Sequence, residues 1–182
     1  MKRKDELTNE QASTIASSTS VCQRINCGRI DMRICRDGKW LYHGTPIPRK
    51  EMVCLFASTL TRRDDGTFWL VTPSEEAQIE VEDVPFLAVE MFCCGAGRAT
   101  QLSFRTNVDE VVALDQEHPL RLVAGCKDSP PYITVRPRIE ARLTRAVYYQ
   151  LVALGLEETI AEERLYGVWS SGIFFPLGRM AD

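Results

Sequence analysis

The hydrophobic positions of this chain fall in short runs separated by turn-forming residues. Met32-Arg33-Ile34-Cys35 and Trp40-Leu41-Tyr42 flank Asp37-Gly38, which predicts a hairpin. From Pro48 to about Thr61 the residues Met52, Val53, Leu55, Phe56 and Leu60 recur at helical spacing, with Pro48 suited to the first helical position. Phe68 to Thr72 is aromatic and β-branched, and Gln78 to Glu82 alternates polar with apolar; both read as strands. Phe86–Cys94 and Ala99–Thr106 make a second hairpin around Gly95-Ala96-Gly97-Arg98. Short strands are expected at Val111–Leu114, Leu120–Val123 and Tyr132–Val135. A second helix is expected over about 139 to 155, its buried stripe marked by Val147, Tyr148, Leu151 and Val152. Leu165–Ser170 and Ile173–Leu177 close the pattern as a hairpin on Ser171-Gly172. Two helices among many short strands, with no regular strand–helix alternation, predict an α+β fold with mainly antiparallel sheet.

Part of this pattern occurs twice. Arg49–Leu60 (RKEMVCLFASTL) and Arg145–Leu156 (RAVYYQLVALGL) lie 96 residues apart and coincide at four positions: Arg49/Arg145, Leu55/Leu151, Ala57/Ala153 and Leu60/Leu156. An aromatic-aliphatic run precedes each copy. A Gly-x-aromatic-aromatic signal follows each, Gly66-Thr67-Phe68-Trp69 in one and Gly172-Ile173-Phe174-Phe175 in the other. The expected organisation is a polar tail over 1–22, an N-terminal α+β repeat over 23–95 and a C-terminal α+β repeat over 96–182. A duplicated strand–helix–strand unit creates an interface between copies, a favoured place for a ligand pocket.

Composition narrows the function classes. A net charge of −3 argues against a dedicated DNA-binding module, and no run approaches the roughly 20 apolar residues of a membrane span. The first twenty residues lack an apolar signal core, so a cytoplasmic setting with reduced thiols is expected for the seven cysteines. Cys22-x4-Cys27-x7-Cys35 matches no common zinc spacing, and no metal site is expected. Of the vicinal pair Cys93-Cys94, at least one side chain should be core, because strand neighbours point to opposite faces. Glu75, Glu76, Glu80, Glu82 and Asp83 read as the solvated face of a strand.

The candidate site residues are few. Arg49 is expected in the first turn of its helix and Arg145 at the start of the second helix or one turn into it, where a cation opposes the macrodipole. An anion there would be held by both the helix N-terminus and the guanidinium; an internal salt bridge is the alternative. Arg136, Arg138 and Arg142 add positive charge near Arg145. Trp169, Ser170 and Ser171 offer an aromatic plane beside two hydroxyls and a glycine turn. Gly95-Ala96-Gly97-Arg98 lacks the Lys-Ser/Thr of a P-loop and the third glycine of a dinucleotide fingerprint, and reads as a hairpin turn. His43 and His118 stand in no nucleophile motif, and no catalytic residue or cofactor is identified.

The run Asp37-Gly38-Lys39-Trp40-Leu41-Tyr42-His43-Gly44-Thr45-Pro46-Ile47-Pro48-Arg49, then Leu55-Phe56-Ala57, Gly66 to Glu75 and Val81 to Phe86, resembles the bacterial domain-of-unknown-function family 1285. Arg145 to Leu151 and Gly167 to Gly172 fit the same pattern. The resemblance implies a duplicated α+β structure whose C-terminal half is like a pleckstrin-homology fold. It also implies a site between the halves for a nucleotide-like molecule in signalling. The leading expectation is a non-enzymatic binding module for a small anionic ligand, with Arg49, Arg145, Trp169 and Ser171 sharing a cleft between the halves. The alternatives are a protein–protein interaction module using a strand edge and an enzyme whose site assembles only in space.

Overall fold

The computed structural model describes residues 24–123 and 130–179; the tail expected over 1–22, together with Cys22 and Cys126, lies outside them. The N-terminal part runs β1 (Ile25–Ile34), β2 (Trp40–Tyr42), β3 (Thr45–Pro46), α1 (Lys50–Thr59), β4 (Leu60–Arg62), β5 (Phe68–Val71) and β6 (Glu75–Val81). These strands form one sheet in the order β3-β2-β1-β6-β5-β4. A second sheet takes β7 (Phe86–Cys94), β8 (Gln101–Thr106), β9 (Val111–Ala113), β10 (Leu120–Arg121), β11 (Tyr132–Arg136) and β12 (Ile139–Leu143), in the order β10-β11-β12-β7-β8-β9. The helix α2 (Arg145–Ala153) then leads to a three-stranded meander of β13 (Leu156–Ile160), β14 (Glu163–Ser170) and β15 (Ile173–Arg179). Among the described residues every strand pairing is antiparallel except β1–β6 and β7–β12. The fold is α+β and mostly sheet, as the pattern predicts.

Local chemistry explains most of the boundaries. Gly38 turns the first hairpin at φ +82°, and a Cβ there would meet Asn107 Nδ2 at 2.9 Å and Leu87 at 3.0 Å, so the turn is both left-handed and tightly packed. Ser171 and Gly172 both have positive φ, the signature of a two-residue turn whose twist matches its strands. Thr144 caps α2, its hydroxyl accepting the Val147 N–H. One hydrophobic core serves the whole molecule: Ile34, Phe86, Leu102, Phe104, Ile133, Leu143, Leu151 and Val168 are buried in a single cluster. Each such side chain contributes about 1.5–3 kcal/mol relative to exposure.

Several expectations change. Residues 139–143 are a strand, not the start of a helix. Ile139, Ala141 and Leu143 are buried while Glu140 and Arg142 are not, a period of two, and α2 begins only at Arg145. α1 is shorter than expected, and Arg49 is its N-cap in extended backbone, not a first-turn residue. Met52 and Leu55, two of the residues that recur at helical spacing, are exposed; the buried residue of α1 is Ala57. The strand β13 had no sequence signal. The acidic run is not simply solvated: Arg29 reaches Glu80 at 2.7 Å, Arg33 reaches Glu80 at 3.4 Å, and the Arg36 N–H donates to Glu82 at 2.8 Å. Those contacts tie the parallel pair β1–β6 along its outer face. Neither Cys93 nor Cys94 is core; both are exposed. The division expected at 95/96 lies between β7 and β8, which pair from Ala88–Thr106 to Cys94–Gln101.

Both helices follow an antiparallel strand pair and precede a three-stranded antiparallel meander. The two glycine signals do not correspond, however. Gly66 opens the second strand of its meander, whereas Gly172 opens the third. The residue standing on the second strand of the later meander is Trp169, as Trp69 stands on the earlier one. The sheet partners also differ: β6 closes on β1, while β15 is an edge.

Candidate functional site

Trp169 lies half-buried on β14. Its Nε1–H donates to Glu158 Oε1 at 3.0 Å, and the Phe174 ring stands 5.5 Å away. The Arg98 guanidinium sits over the indole, 4.7 Å from the ring centroid, with Nη2 3.6 Å from the same Glu158 oxygen. Arg98 comes from the β7–β8 turn, so the cluster joins the second sheet to the third. Between them opens a pocket of about 240 Å³, walled by Leu102, Leu154, Leu156, Val168 and Trp169 and rimmed by Cys93 and the Gly95–Gly97 backbone. The Arg98 side chain is 73% exposed and makes no side-chain hydrogen bond among the described residues. Its distance from Glu158 exceeds the roughly 2.7–2.9 Å of a full charge-assisted bond.

Ser170 and Ser171 hold this region together instead of facing the pocket. Ser170 is fully buried; its Oγ accepts the Leu102 N–H at 3.0 Å and donates to the Leu114 carbonyl at 2.7 Å. The Ser171 N–H donates to the Thr100 carbonyl at 2.9 Å. The two residues extend the hydrogen bonding of β8 into the meander and thereby place Trp169 against Arg98.

The arginines singled out from sequence lie elsewhere. Arg49 and Arg145 are exposed, form no ion pair among the described residues, and neither lines the pocket. Arg145 and Leu154 occupy opposite ends of α2, separated by about 13 Å at 1.5 Å per residue. Arg136 is committed internally. It donates to the Ala57 carbonyl at 2.8 Å and the Ser58 carbonyl at 3.4 Å, its Nε lies 3.4 Å from Glu110, and its charge complements the C-terminal dipole of α1.

Several contacts bridge the seam between the halves among the described residues. Arg142 donates to the Arg36 carbonyl at 2.7 Å, the Tyr132 hydroxyl donates to Asp83 at 3.1 Å, and Asn107 Nδ2 donates to the Gly38 carbonyl at 3.3 Å. Lys50 pairs with Asp109 at 2.6 Å, and the Cys54 thiol meets the Val108 carbonyl at 3.4 Å. The Lys50 hydrogen bond, seconded by Arg105, holds the Asp109 carboxyl below the usual range, while burial, and then Asp83, push the Tyr132 hydroxyl up. None of Arg49, Arg145 and Ser171 lines the pocket beside Trp169.

Trp69 on β5 has a similar set of partners. Arg63 covers its ring at 3.8 Å and pairs with Glu76 at 2.9 Å, while Trp69 Nε1 donates to Thr67 Oγ1 at 2.7 Å. No group of three or more His, Cys, Asp or Glu able to hold a metal gathers among the described residues. No helix there is long and apolar enough to cross a membrane. The sequence singles out Trp169 but not its partners. Arg98 was visible only as a turn residue, and Glu158 sits on the strand that carried no signal.

Comparison with known proteins agrees with the family resemblance. Residues 23–84 match the N-terminal domain of the DUF1285 family, a domain of unknown function, and residues 85–177 match its C-terminal domain. That division places β7 with the second sheet. A solved DUF1285 family protein from Silicibacter pomeroyi DSS-3 is 39% identical, with a TM-score of 0.76 over 92% of this chain and 90% of that one. A second, from Shewanella baltica OS155, is 28% identical, with a TM-score of 0.55 over 68% of this chain and 91% of that one. A comparison with curated proteins finds no match. Two adjoining domain matches spanning most of the described residues, and a shared fold at 39% identity, show that the chain belongs to the DUF1285 family.

Proposed function

We propose that this chain is a non-enzymatic binding module for a small anionic ligand, held between the second sheet and the meander. The observation that carries this reading is the Arg98 cation over Trp169, a wall residue of the pocket, largely exposed and with no side-chain hydrogen bond among the described residues. A ligand carboxylate or phosphate takes the guanidinium, and the apolar or planar part enters beside the indole. A nucleotide, the class the family resemblance suggests, would bring only its base into a pocket of about 240 Å³ and leave its phosphates at the rim. We further propose a signalling role in the cytoplasm, a duplicated origin for the two helix–meander units, and a pleckstrin-homology-like relation for the second.

The test is a thermal-shift screen of nucleotides and small organic anions, repeated on Arg98→Gln. A ligand at 100 times its Kd adds about 2.7 kcal/mol of stability. Binding that Arg98→Gln weakens supports the proposal; a screen with no stabilising anion, or stabilisation unchanged in the variant, overturns it. A second reading, a protein-interaction module, draws on exposed apolar residues beside the open edge of β13. Tyr149 is 61% exposed, and Leu154, Leu156 and Ile160 continue the surface.

A further inference from the structure

We infer that the ligand of the Trp169 pocket is a compact monoanion, a carboxylate carrying an aromatic or branched hydrocarbon group, in preference to a polyphosphate. The inference rests on the binding reading above and narrows it to one chemical class.

Three observations point that way. The first is the wall. Leu102, Leu154, Leu156, Val168 and the Trp169 indole make most of the wall, Cys93 and Thr100 adding a thiol and a hydroxyl, and no charged side chain lines it. Such a wall rewards hydrocarbon and penalises any polar group it cannot pair. The second is size. A volume of about 240 Å³ lies below the roughly 300–1,000 Å³ of pockets for drug-sized ligands, which suits one ring and a short arm better than a whole nucleotide. The third is the neighbouring cation. Arg98 stands over the ring of Trp169, a wall residue, and its side chain is 73% exposed. One guanidinium matches one carboxylate in a bidentate pair, whereas a triphosphate needs several converging donors.

The molecule already contains an internal version of this contact. The Glu158 carboxylate accepts from the Trp169 indole at 3.0 Å and stands 3.6 Å from Arg98. A carboxylate is therefore compatible with both the indole N–H and the guanidinium. Glu158 fills the indole N–H bond but leaves the guanidinium loosely held. An incoming carboxylate takes the guanidinium at full hydrogen-bond distance, while Glu158 keeps the indole.

The experiment is calorimetric titration of the full chain with four probes: 3-phenylpropionate, its neutral amide, AMP and ATP. Each is repeated on Arg98→Gln and on Ala96→Trp; Ala96 is an exposed rim residue whose enlargement blocks the mouth without touching the core. The expected result is binding of phenylpropionate, about tenfold to a hundredfold weaker binding of the amide, and a similar loss in Arg98→Gln. Ala96→Trp is expected to abolish binding while leaving the melting temperature of the free protein unchanged. If AMP or ATP binds more tightly than phenylpropionate, and both variants weaken it, the ligand class is wrong and the binding reading stands. Equal affinity for acid and amide also overturns the monoanion class. If no probe binds, or binding is indifferent to both variants, the pocket itself fails and the wider reading falls with it.

Discussion

Trp69 and Trp169 are matched in their partners and opposed in their settings. Each carries an arginine over its ring and a glutamate paired to that arginine. At Trp69 all three belong to one meander: Arg63 follows β4, Glu76 lies on β6, and the guanidinium closes to 3.8 Å. At Trp169 the cation arrives from another sheet, stays 4.7 Å from the ring, and leaves a pocket beside it. A clamp made within one sheet can tighten until its donors are used. When it spans two sheets it stops where their backbones stop, and the shortfall is available to a ligand.

The sharpest way to break this comparison is to remove each indole. Trp69 is 9% exposed, and Trp69→Ala is expected to cost about 3–5 kcal/mol, read as a lower urea midpoint at unchanged slope. Trp169→Ala, at a half-buried ring, is expected to cost about 1–2 kcal/mol. Equal losses would mean that both clusters are structural.

Next in size is the support behind the open cluster. Ser170→Ala strands the buried Leu102 N–H and Leu114 carbonyl, for an expected loss of about 2–4 kcal/mol, together with a change in Trp169 fluorescence as the meander shifts. A stability loss that left Trp169 emission unchanged would detach Ser170 from the placement of the indole.

The smallest effect separates the two rings by pH. The Trp69 indole is tied through Thr67 to Asp65, whose carboxyl is held below the usual range by the hydrogen bonds from the Thr67 hydroxyl and N–H. A depressed folded value means that this support is fully present above the unfolded pKa of about 3.9 and is lost as pH falls through the lower folded value. Acid titration of the folded protein is expected to change Trp69 emission in that window, and Asp65→Asn to remove the change. Persistence of the transition in the variant would assign it to another group.

The parts of the fold legible in the sequence are those decided by neighbours along the chain. Asp37-Gly38 and Ser171-Gly172 specify their turns locally, and both hairpins form where expected. The parallel pairs were invisible, because Ile25 meets Glu75 and Leu143 meets Ala88 across long intervening segments. Ile139 and Leu143 satisfy helical spacing as well as alternation, and only the burial of Ala141 between Glu140 and Arg142 decides for strand. For the site, an aromatic beside a glycine turn was readable at Trp169. Its cation and carboxylate come from distant segments, and nothing at Arg98 or Glu158 announces that they meet. Arg49 proves to be the N-cap of α1 and Arg145 the first residue of α2, but a similar position in two units does not make a shared surface.

The parallel closures also order events during synthesis. Every strand of the first sheet lies between Ile25 and Val81, so this sheet can complete its pairing as soon as that stretch has left the ribosome. The second sheet cannot: β7 and β8 emerge early, yet β7 waits for β12. Until Arg136 is made, the last carbonyls of α1 also lack the guanidinium that holds them. The interval between Phe86 and Leu143 is thus when one flank of β7 lacks its partner on a nascent chain that already holds every strand of the first sheet.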